Sequence, residues 1–393
     1  MKFADTFRQI LAITKRESRF ILGNRSVLLL LLAGPIIYSF LYTSIFVSKM
    51  ERDVPILVVD NDNSEMSRSL IRSIDAHEAV AVQSCQKGMP DVRAEIYEMK
   101  YMAVLIIPHN YSQMIKQGKQ ARISLVANNS RFMVANDVLR GINDVISEIS
   151  KNSVVQYYRT KGMNNNRALS LANPIQFDIR CLFNTTEAYG DFIIVGLLAL
   201  IFQQTLVIAA AVSIANEREE RSIGLLFHKA SGSFFKIVTG KGILYFILFS
   251  IYTFFFFNFH FALYKIPFNG SMFLLTVVTQ IQIAVLFLLG CIIGTFFRQK
   301  LFALIFLAFM SYPVFLLSGY SWPQEAFPEL IKIMSYMLPQ TWYFNIYVSI
   351  AQEGGGLPNV FPHIVNILCL GSVFALILWL RMMSLHKKTC IKN

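Results

Sequence analysis

The apolar residues of this chain are distributed unevenly along its 393 residues. One apolar span, residues 26–47, is followed by about 140 mostly polar residues and then by further spans set close together. A span of this length can cross a hydrocarbon layer of about 30 Å at about 1.5 Å per helical residue. The pattern predicts an α-helical polytopic membrane protein with six transmembrane helices, the other five lying near 192–214, 243–264, 272–296, 301–319 and 364–383.

Basic residues set the expected orientation of these spans. The segments on one side of them hold 17 lysines and arginines, whereas the two short segments on the other side hold only Lys265 and Lys332. Flanks rich in Lys and Arg stay preferentially in the cytoplasm. We therefore expect both termini, including a cytoplasmic tail at 384–393, inside the cell and the segment 48–191 outside. Because the flanks account for much of the net charge of +12, nucleic acid is not expected as a partner.

The segment 48–191 alternates strand-like and helix-like stretches. VPILVVD at 54–60 has the pattern of a buried strand, and a helical stretch follows it with Ser64 as the N-cap. Further strands are predicted in AVAVQS, KYMAVLIIP and ARISLVAN, and further helices in MPDVRAEIYEM and from 131 to 159. Alternation of this kind predicts an inserted extracytoplasmic α/β domain. Its Cys85 and Cys181 form either a disulfide or two free thiols.

The leader, residues 1–25, has the pattern of an amphipathic helix. Phe3, Phe7, Ile10, Leu11 and Thr14 fall on one face, and arginines and lysines lie on the other flank. Such a helix would lie along the cytoplasmic surface of the lipid bilayer, with its apolar face at the headgroup boundary. The alternative is a basic flank that only sets the topology.

Motifs that would supply chemistry are missing from the sequence. TGKGI at 239–243 lacks the first glycine and the Ser/Thr of a phosphate-binding loop, so no ATP site is expected on this chain. The six histidines have no metal-ligand spacing, and neither H-E-x-x-H nor G-x-S-x-G occurs. We therefore expect no catalytic, cofactor-binding or metal site. Apart from Arg381 at one end of the sixth, the predicted spans also lack Asp, Glu, Lys and Arg, which argues against ion-coupled transport.

Neutral polar side chains lie inside the predicted spans instead. Gln203 and Gln204 are in the second span, and Gln280 and Gln282 are in the fourth. Side chains of this type commonly form hydrogen bonds between membrane helices. The alternative is that these four glutamines line a translocation path. Any energy for transport would have to come from another protein.

The five-helix region 192–383 contains a cytoplasmic loop at 215–242 where such a protein could bind. The loop begins with Glu217, Arg218 and Glu219, continues through an apolar stretch, and ends at Gly240 and Lys241. A mixed-charge helix followed by an apolar ridge suits docking into a groove on a cytosolic partner. The alternative is a solvated connector.

At this point the chain resembles the membrane (permease) subunit of bacterial type-2 ABC exporters. It is most similar to the subgroup with a large periplasmic domain between the first and second spans. Glu217-Arg218-Glu219 matches the start of the family segment E-R-E-x-G-T-x-E-x-L, and Leu226 matches its end. Gly240-Lys241 matches the pair before the third span. The chain departs from the family pattern where Gly, Thr and Glu are usual, with Arg221, Ser222 and Gly224 respectively.

An extracytoplasmic hairpin after the fifth span carries a second part of the resemblance. Residues 320–345 are similar to the family's proline-rich S-G-x-x-x-P…M-P…P segment. Pro323, Pro328 and Pro339 match its prolines. Because proline interrupts a helix, these residues would let the segment fold back toward the membrane.

The resemblance implies one half of an ATP-driven exporter in the bacterial cytoplasmic (inner) membrane. A second permease subunit, identical or different, would complete the pore. A cytosolic ABC ATPase would bind the inner loop and the leader, and would use ATP and Mg²⁺ itself. A periplasmic adaptor protein is a further candidate partner, and spans rich in Phe favour a hydrophobic or amphipathic substrate. Loss of Glu217 and Glu219, or of Arg218, should then uncouple ATP hydrolysis from export.

Two alternatives come from other functional classes. A non-transport sensor or scaffold of the cell envelope would use the outer domain and would have no ATPase partner. A membrane-embedded enzyme would need a convergent acid, base or nucleophile, and the sequence offers none that can be named.

Overall fold

The computed structural model describes residues 2–46, 51–88, 100–173, 182–183 and 189–390. The chain divides into two compact units. Met1–Val47 and Cys181–Asn393 form the first, here called the membrane unit, and Ser48–Arg180 form the second, here called the sheet unit. A sheet-containing unit thus interrupts a mostly helical one in the sequence.

The sheet unit is built on four strands in the order β2-β1-β3-β4. β1 runs parallel to β2 and β3, whereas β3 and β4 are antiparallel. The strands predicted from the sequence are confirmed, with bounds β1 Val54–Asp60, β2 Val80–Gln86, β3 Ala103–Ile107 and β4 Ser124–Ala127. The helices of this unit are α3 Glu65–Asp75, α4 Tyr111–Lys116, α5 Phe132–Thr160 and α6 Asn165–Ala172.

Local interactions explain where these elements start and how they pack. Ser64 is the N-cap of α3, as predicted, and exchanges hydrogen bonds with Ser67 in a capping box. The Ser67 hydroxyl also donates to Asp60 at 2.7 Å, which ties the helix start to the end of β1. On α5, Val138 and Ile142 are buried against the sheet core. Cys85 is an exposed free thiol, while Cys181 and the helix predicted at 89–99 lie outside the described residues.

In the part of the chain that the structure describes, six helices are long and apolar enough to cross a membrane. This confirms six candidate membrane helices at the predicted places. They are α2 Arg25–Ile45, α7 Tyr189–Glu219, α9 Phe234–Leu263, α10 Met272–Gly294, α11 Lys300–Leu317 and α14 Leu357–Cys390. The leader forms α1, Lys2–Gly23, and a short helix α8, Ile223–Lys229, lies between α7 and α9.

Some helices extend beyond the predicted spans. α7 continues past residue 214 through Glu217, and α9 begins before residue 243 and includes Lys241. The near-absence of Asp, Glu, Lys and Arg from the predicted spans therefore does not extend to the helices that contain them. Hydropathy fails here because it drops at the first charged residue, whereas a helix continues wherever its charged groups find partners.

α7 is the central helix of the membrane unit and packs against α2, α10 and α11. Its approach to α10 depends on Gly290 and Gly294, which are spaced as in a G-x-x-x-G motif. A Cβ atom at Gly290 would lie 2.7 Å from the carbonyl oxygen of Val207, and one at Gly294 would clash with the carbonyl oxygen of Ala211. The two backbones therefore come together where α10 has no side chain.

The segment after α11 forms a helical hairpin. It contains a 3-10 turn at Gln324–Ala326, α12 at Glu329–Tyr336 and α13 at Pro339–Tyr347. Pro323 and Pro328 are the N-caps of the first two elements, and Pro339 is the first residue of α13. Each proline thus starts a short helix, where its missing N–H costs little. α13 packs against α10 and α14.

Candidate functional site

The leader helix α1 is held against the membrane helices by the face that carries Ile13 and Glu17. These residues are one turn apart and both are fully buried. The Thr14 hydroxyl donates a hydrogen bond of 2.9 Å to the carbonyl oxygen of Gly240 on α9. A Cβ atom at Gly240 would lie 2.7 Å from the Ile13 Cβ, so glycine is what permits this close approach. Phe7 and Leu11, on the predicted apolar face of α1, are exposed.

Lys241 is the centre of a buried polar group beside this contact. Its ammonium donates to Glu17 on α1, donates to the Ser213 hydroxyl on α7 at 2.9 Å, and lies 3.2 Å from Glu217 Oε1. Lys241 is 2% exposed and Glu17 is 1% exposed. The Tyr245 hydroxyl donates a further hydrogen bond of 2.7 Å to Glu17. Three helices therefore share one ammonium group and its acceptors.

Arg16, next to Glu17 on α1, completes the group. Its Nε and Nη2 atoms donate to the two carboxylate oxygens of Glu217 at 3.1 and 2.6 Å. The same Nη2 donates to the Ser222 hydroxyl at 2.8 Å, and Ser222 donates to Glu217. This two-point contact is the strong geometry for an arginine and a carboxylate.

We call Arg16, Glu17, Glu217 and Lys241 the charge cluster. It contains two carboxylates and two cations, so its formal charge is zero. Burying an ion pair carries a desolvation penalty, which is offset only when the geometry is good and the remaining polar atoms are hydrogen-bonded. Ser213, Ser222 and Tyr245 supply those extra hydrogen bonds. The cluster fastens α1 to α7 and α9.

The other residues of the predicted coupling segment lie around the cluster with different surroundings. Arg218 donates to the carbonyl oxygens of Thr295 and Phe297, just after the end of α10, at 2.5 and 2.7 Å. Glu219 is exposed and accepts the backbone N–H of Lys300 at 2.9 Å. Leu226 is fully buried, and Gly224 has open space beyond its Cα. Most of the predicted segment is thus engaged with the membrane unit.

The outward face of α8 is an accessible apolar part of this region. Leu225 is 60% exposed, and His228 and Lys229 are exposed one turn later. The opposite face of α8 carries the buried Ile223 and Phe227, which anchor the helix on the membrane unit. An apolar side chain flanked by basic groups therefore projects from a short, anchored helix.

The turn into α8 gives a structural reason for one departure from the family pattern. Arg221 has φ +54°, in the left-handed region that glycine adopts most easily. A residue with a side chain costs roughly 1–2 kcal/mol there. The glycine that is usual in the family would adopt this left-handed conformation without strain. Arg221 adopts it at the expense of this conformational energy.

The four glutamines proposed for a translocation path separate into two pairs. Gln204 donates to the Leu307 carbonyl oxygen on α11 at 2.5 Å, and Gln280 accepts from Ser250 on α9 at 2.7 Å. This pair links helices. Gln203 and Gln282 instead line one cavity between α7, α9, α10 and α13.

Sequence reasoning missed the two residues that α1 contributes to the charge cluster. Glu17 was not singled out, and Arg16 was counted only as part of the basic flank. A usable signal was present, because Glu17 follows Ile13 by one helical turn on a face that is otherwise apolar. An acid there requires a buried cation, and Lys241 is the one that the fold supplies. For metals, the described residues contain no group of three or more His, Cys, Asp or Glu that could hold an ion.

Comparison with known proteins agrees with this architecture. Residues 25–381 match the family described as ABC-2 family transporter protein. The chain is 23% identical to the inner membrane transport permease YhhJ of Escherichia coli K12 over 391 residues, which is 95% of this chain and 96% of the relative. It is also 23% identical to the probable multidrug ABC transporter permease YbhR of the same organism over 361 residues, 90% of this chain and 92% of the relative.

These relatives are transport permeases of the membrane and not enzymes, and an ABC-2 permease implies an ABC ATPase as its partner. The family part of the resemblance is therefore confirmed. On the match over residues 25–381 and the full-length relatives, the chain belongs to the ABC-2 transporter family and is a membrane-embedded transport permease.

Proposed function

We propose that this chain is the permease subunit of an ATP-driven exporter in the bacterial cytoplasmic membrane. It moves a hydrophobic or amphipathic substrate outward, and a separate ATPase subunit binds ATP and Mg²⁺. The observation that carries the proposal is α8, a short helix with an exposed apolar tip, next to the charge cluster. A relative named as a probable multidrug permease supports the choice of substrate class.

In this mechanism the ATPase binds the outward face of α8. Leu225 would enter a groove on the ATPase, with His228 and Lys229 at the rim. When the ATPase changes shape, α8 moves with it. Ser222, at the N-cap of α8, is hydrogen-bonded to Glu217 and Arg16, so the movement reaches α7 and α1 through the charge cluster.

The remaining assignments follow from topology and family. Both termini are cytoplasmic, and the sheet unit is the large periplasmic domain of the exporter subgroup. A second permease subunit, identical or different, completes the pore. The sheet unit contacts a periplasmic adaptor protein or the substrate. The charge pattern that sets this topology leaves no role for nucleic acid.

The structure refines the coupling test suggested by the sequence. Glu217 is buried and balances two cations, so its removal is expected to lower stability as well as coupling. The same caution applies to Arg218, which holds the end of α10. Variants of exposed residues on α8 therefore test ATPase coupling more cleanly.

Leu225→Asp is expected to reduce the amount of ATPase that co-purifies with the permease at least tenfold. A buried apolar anchor commonly contributes about 2 kcal/mol or more to binding, and a carboxylate cannot replace it. The measurement is extraction from native cells in mild detergent, followed by identification and quantification of bound proteins. Thermal unfolding would show that the variant is folded.

Leu330→Asp is the matched control, because Leu330 is 70% exposed on α12, away from α8 in the sequence and on the predicted outer side. It should retain the parent level of ATPase. Equal ATPase recovery with Leu225→Asp would remove α8 from the interface. A well-folded parent without any ATPase would instead favour the envelope sensor or scaffold.

A further inference from the structure

A partly open cavity of about 50 Å³ lies within the membrane unit, between α7, α9, α10 and α13. Aromatic rings form much of its wall. They come from three of the four helices, and they are Phe202, Phe256, Phe257, Phe261, Tyr343 and Tyr347. No Asp, Glu, Lys or Arg is among its described lining residues. The cavity therefore suits an uncharged group, because a buried charge without a partner is strongly unfavourable.

Two amides in this cavity have unsatisfied hydrogen-bonding atoms. Neither Oε1 nor Nε2 of Gln282 has a hydrogen-bond partner among the described residues, and Nε2 of Gln203 has none either. Both side chains are only 3% exposed. Buried polar groups are almost always paired, and an unpaired one costs about 1–3 kcal/mol. The Tyr347 hydroxyl, also on the wall, is likewise unpaired among the described residues.

The backbone of α9 is irregular at the same place. Residues Phe256–His260 form a π turn, which inserts one residue into the helical repeat. Phe256, Phe257 and Phe261, in and just after this turn, all line the cavity. Turns of this kind are uncommon and occur frequently at functional sites, which supports a role for the cavity beyond packing.

The size and the polar groups together define what would fit. Measured with a water-sized probe, a cavity needs about 10–15 Å³ to hold one water molecule, so about 50 Å³ accepts a polar group of a few non-hydrogen atoms. An amide such as Gln282 offers both a donor and an acceptor, and a carboxamide on a ligand would match both. Because the cavity is partly open, the rest of a larger molecule can extend from it. An aromatic ring next to the ligand's amide would pack against the aromatic side chains of the cavity wall.

We propose that this cavity is a binding site for neutral aromatic amphipaths, and that it takes their carboxamide or an equivalent donor–acceptor group against Gln282 and Gln203. That such molecules are also transported rests on the proposed function. The binding itself requires neither ATP nor a partner protein. It can therefore be tested on the permease alone.

The test is ¹⁹F NMR titration of 4-fluorobenzamide into the full-length permease in lipid nanodiscs. Saturable binding is expected for the parent. Gln282→Leu should weaken binding about tenfold or more. The ligand would lose a hydrogen bond, and its buried amide would be left without that partner. The melting temperature of this variant should be unchanged or higher, since leucine removes an unpaired buried amide.

Two further variants and two further ligands complete the experiment. Asn258→Leu is the matched control, because Asn258 is an exposed amide on the same π turn that does not line the cavity. It should bind as the parent does. Ala199→Leu fills the cavity from α7 and should abolish binding, which keeps the test available if Gln282→Leu does not fold. The charged 4-fluorobenzoate and the apolar 4-fluorotoluene should bind far more weakly than the amide.

Several outcomes would overturn the inference: no saturable binding to the parent, unchanged affinity in a folded Gln282→Leu variant, unchanged affinity in Ala199→Leu, or equal affinity for 4-fluorotoluene. Since no ATPase is present in the titration, a failure here would leave the co-purification experiment on Leu225 unaffected.

Discussion

Replacing Lys241 by methionine is expected to destabilise the membrane unit by about 3–5 kcal/mol, the usual effect of removing one partner from a buried ion pair. Glu17 and Glu217 would remain buried with Arg16 as the only cation of the cluster. Because methionine has a volume similar to that of lysine, the lost stability would reflect the missing charge and not a cavity. The measurement is thermal unfolding of the purified protein in detergent, with the amount inserted in the membrane as a second readout.

Two further variants separate charge balance from other effects at Lys241. Lys229→Met removes an exposed lysine from α8 and should leave the melting temperature as it is in the parent. Combining Lys241→Met with Glu17→Gln leaves Arg16 and Glu217 as a complete pair, and should recover most of the lost stability. A double variant no more stable than Lys241→Met would mean that the cluster is not stabilised by balanced charge.

Gly290→Ala is expected to destabilise the protein by about 2 kcal/mol, although alanine is the better helix former. Its Cβ would lie 2.7 Å from the Val207 carbonyl oxygen, so the backbones of α7 and α10 would have to separate. Membrane helices depend on such close contact, since lipid provides no hydrophobic drive for their association. The loss should appear in thermal unfolding and, because α7 also contacts α2, α9 and α11, in transport.

The same substitution elsewhere provides the comparison. Gly224→Ala places its Cβ in open space on α8 and should leave stability unchanged or slightly higher, as helix propensity alone predicts. If both variants unfolded at the parent temperature, the close contact between α7 and α10 would not limit stability.

Sequence reasoning predicted the elements of this fold because they depend on local patterns. Val54–Asp60 is recognisable as a strand from its continuous apolar run, and α3 begins where Ser64 can cap it. The membrane helices were found because about 20 apolar residues are required to cross a bilayer. Each of these properties can be evaluated within a short window of the chain.

The functional groups were harder to predict because they depend on contacts between distant segments. The sequence identified Glu217 and Lys241, but it placed them in an accessible loop and not in a buried cluster with Glu17. It also grouped four glutamines that the fold separates, since Gln204 and Gln280 face neighbouring helices while Gln203 and Gln282 face a cavity. The neighbour that a side chain faces depends on residues far away in the sequence, which a short stretch of the chain does not contain.

The charge cluster also determines the order in which this end of the membrane unit can assemble. Arg16 is separated from Glu217 by 201 residues, and Glu17 is separated from Lys241 by 224. The leader is therefore synthesised long before its partners, and Glu17 has no Lys241 to pair with until the third span has been made. Docking of α1 is then a late step of folding, and it can occur only when the second and third spans are both in place.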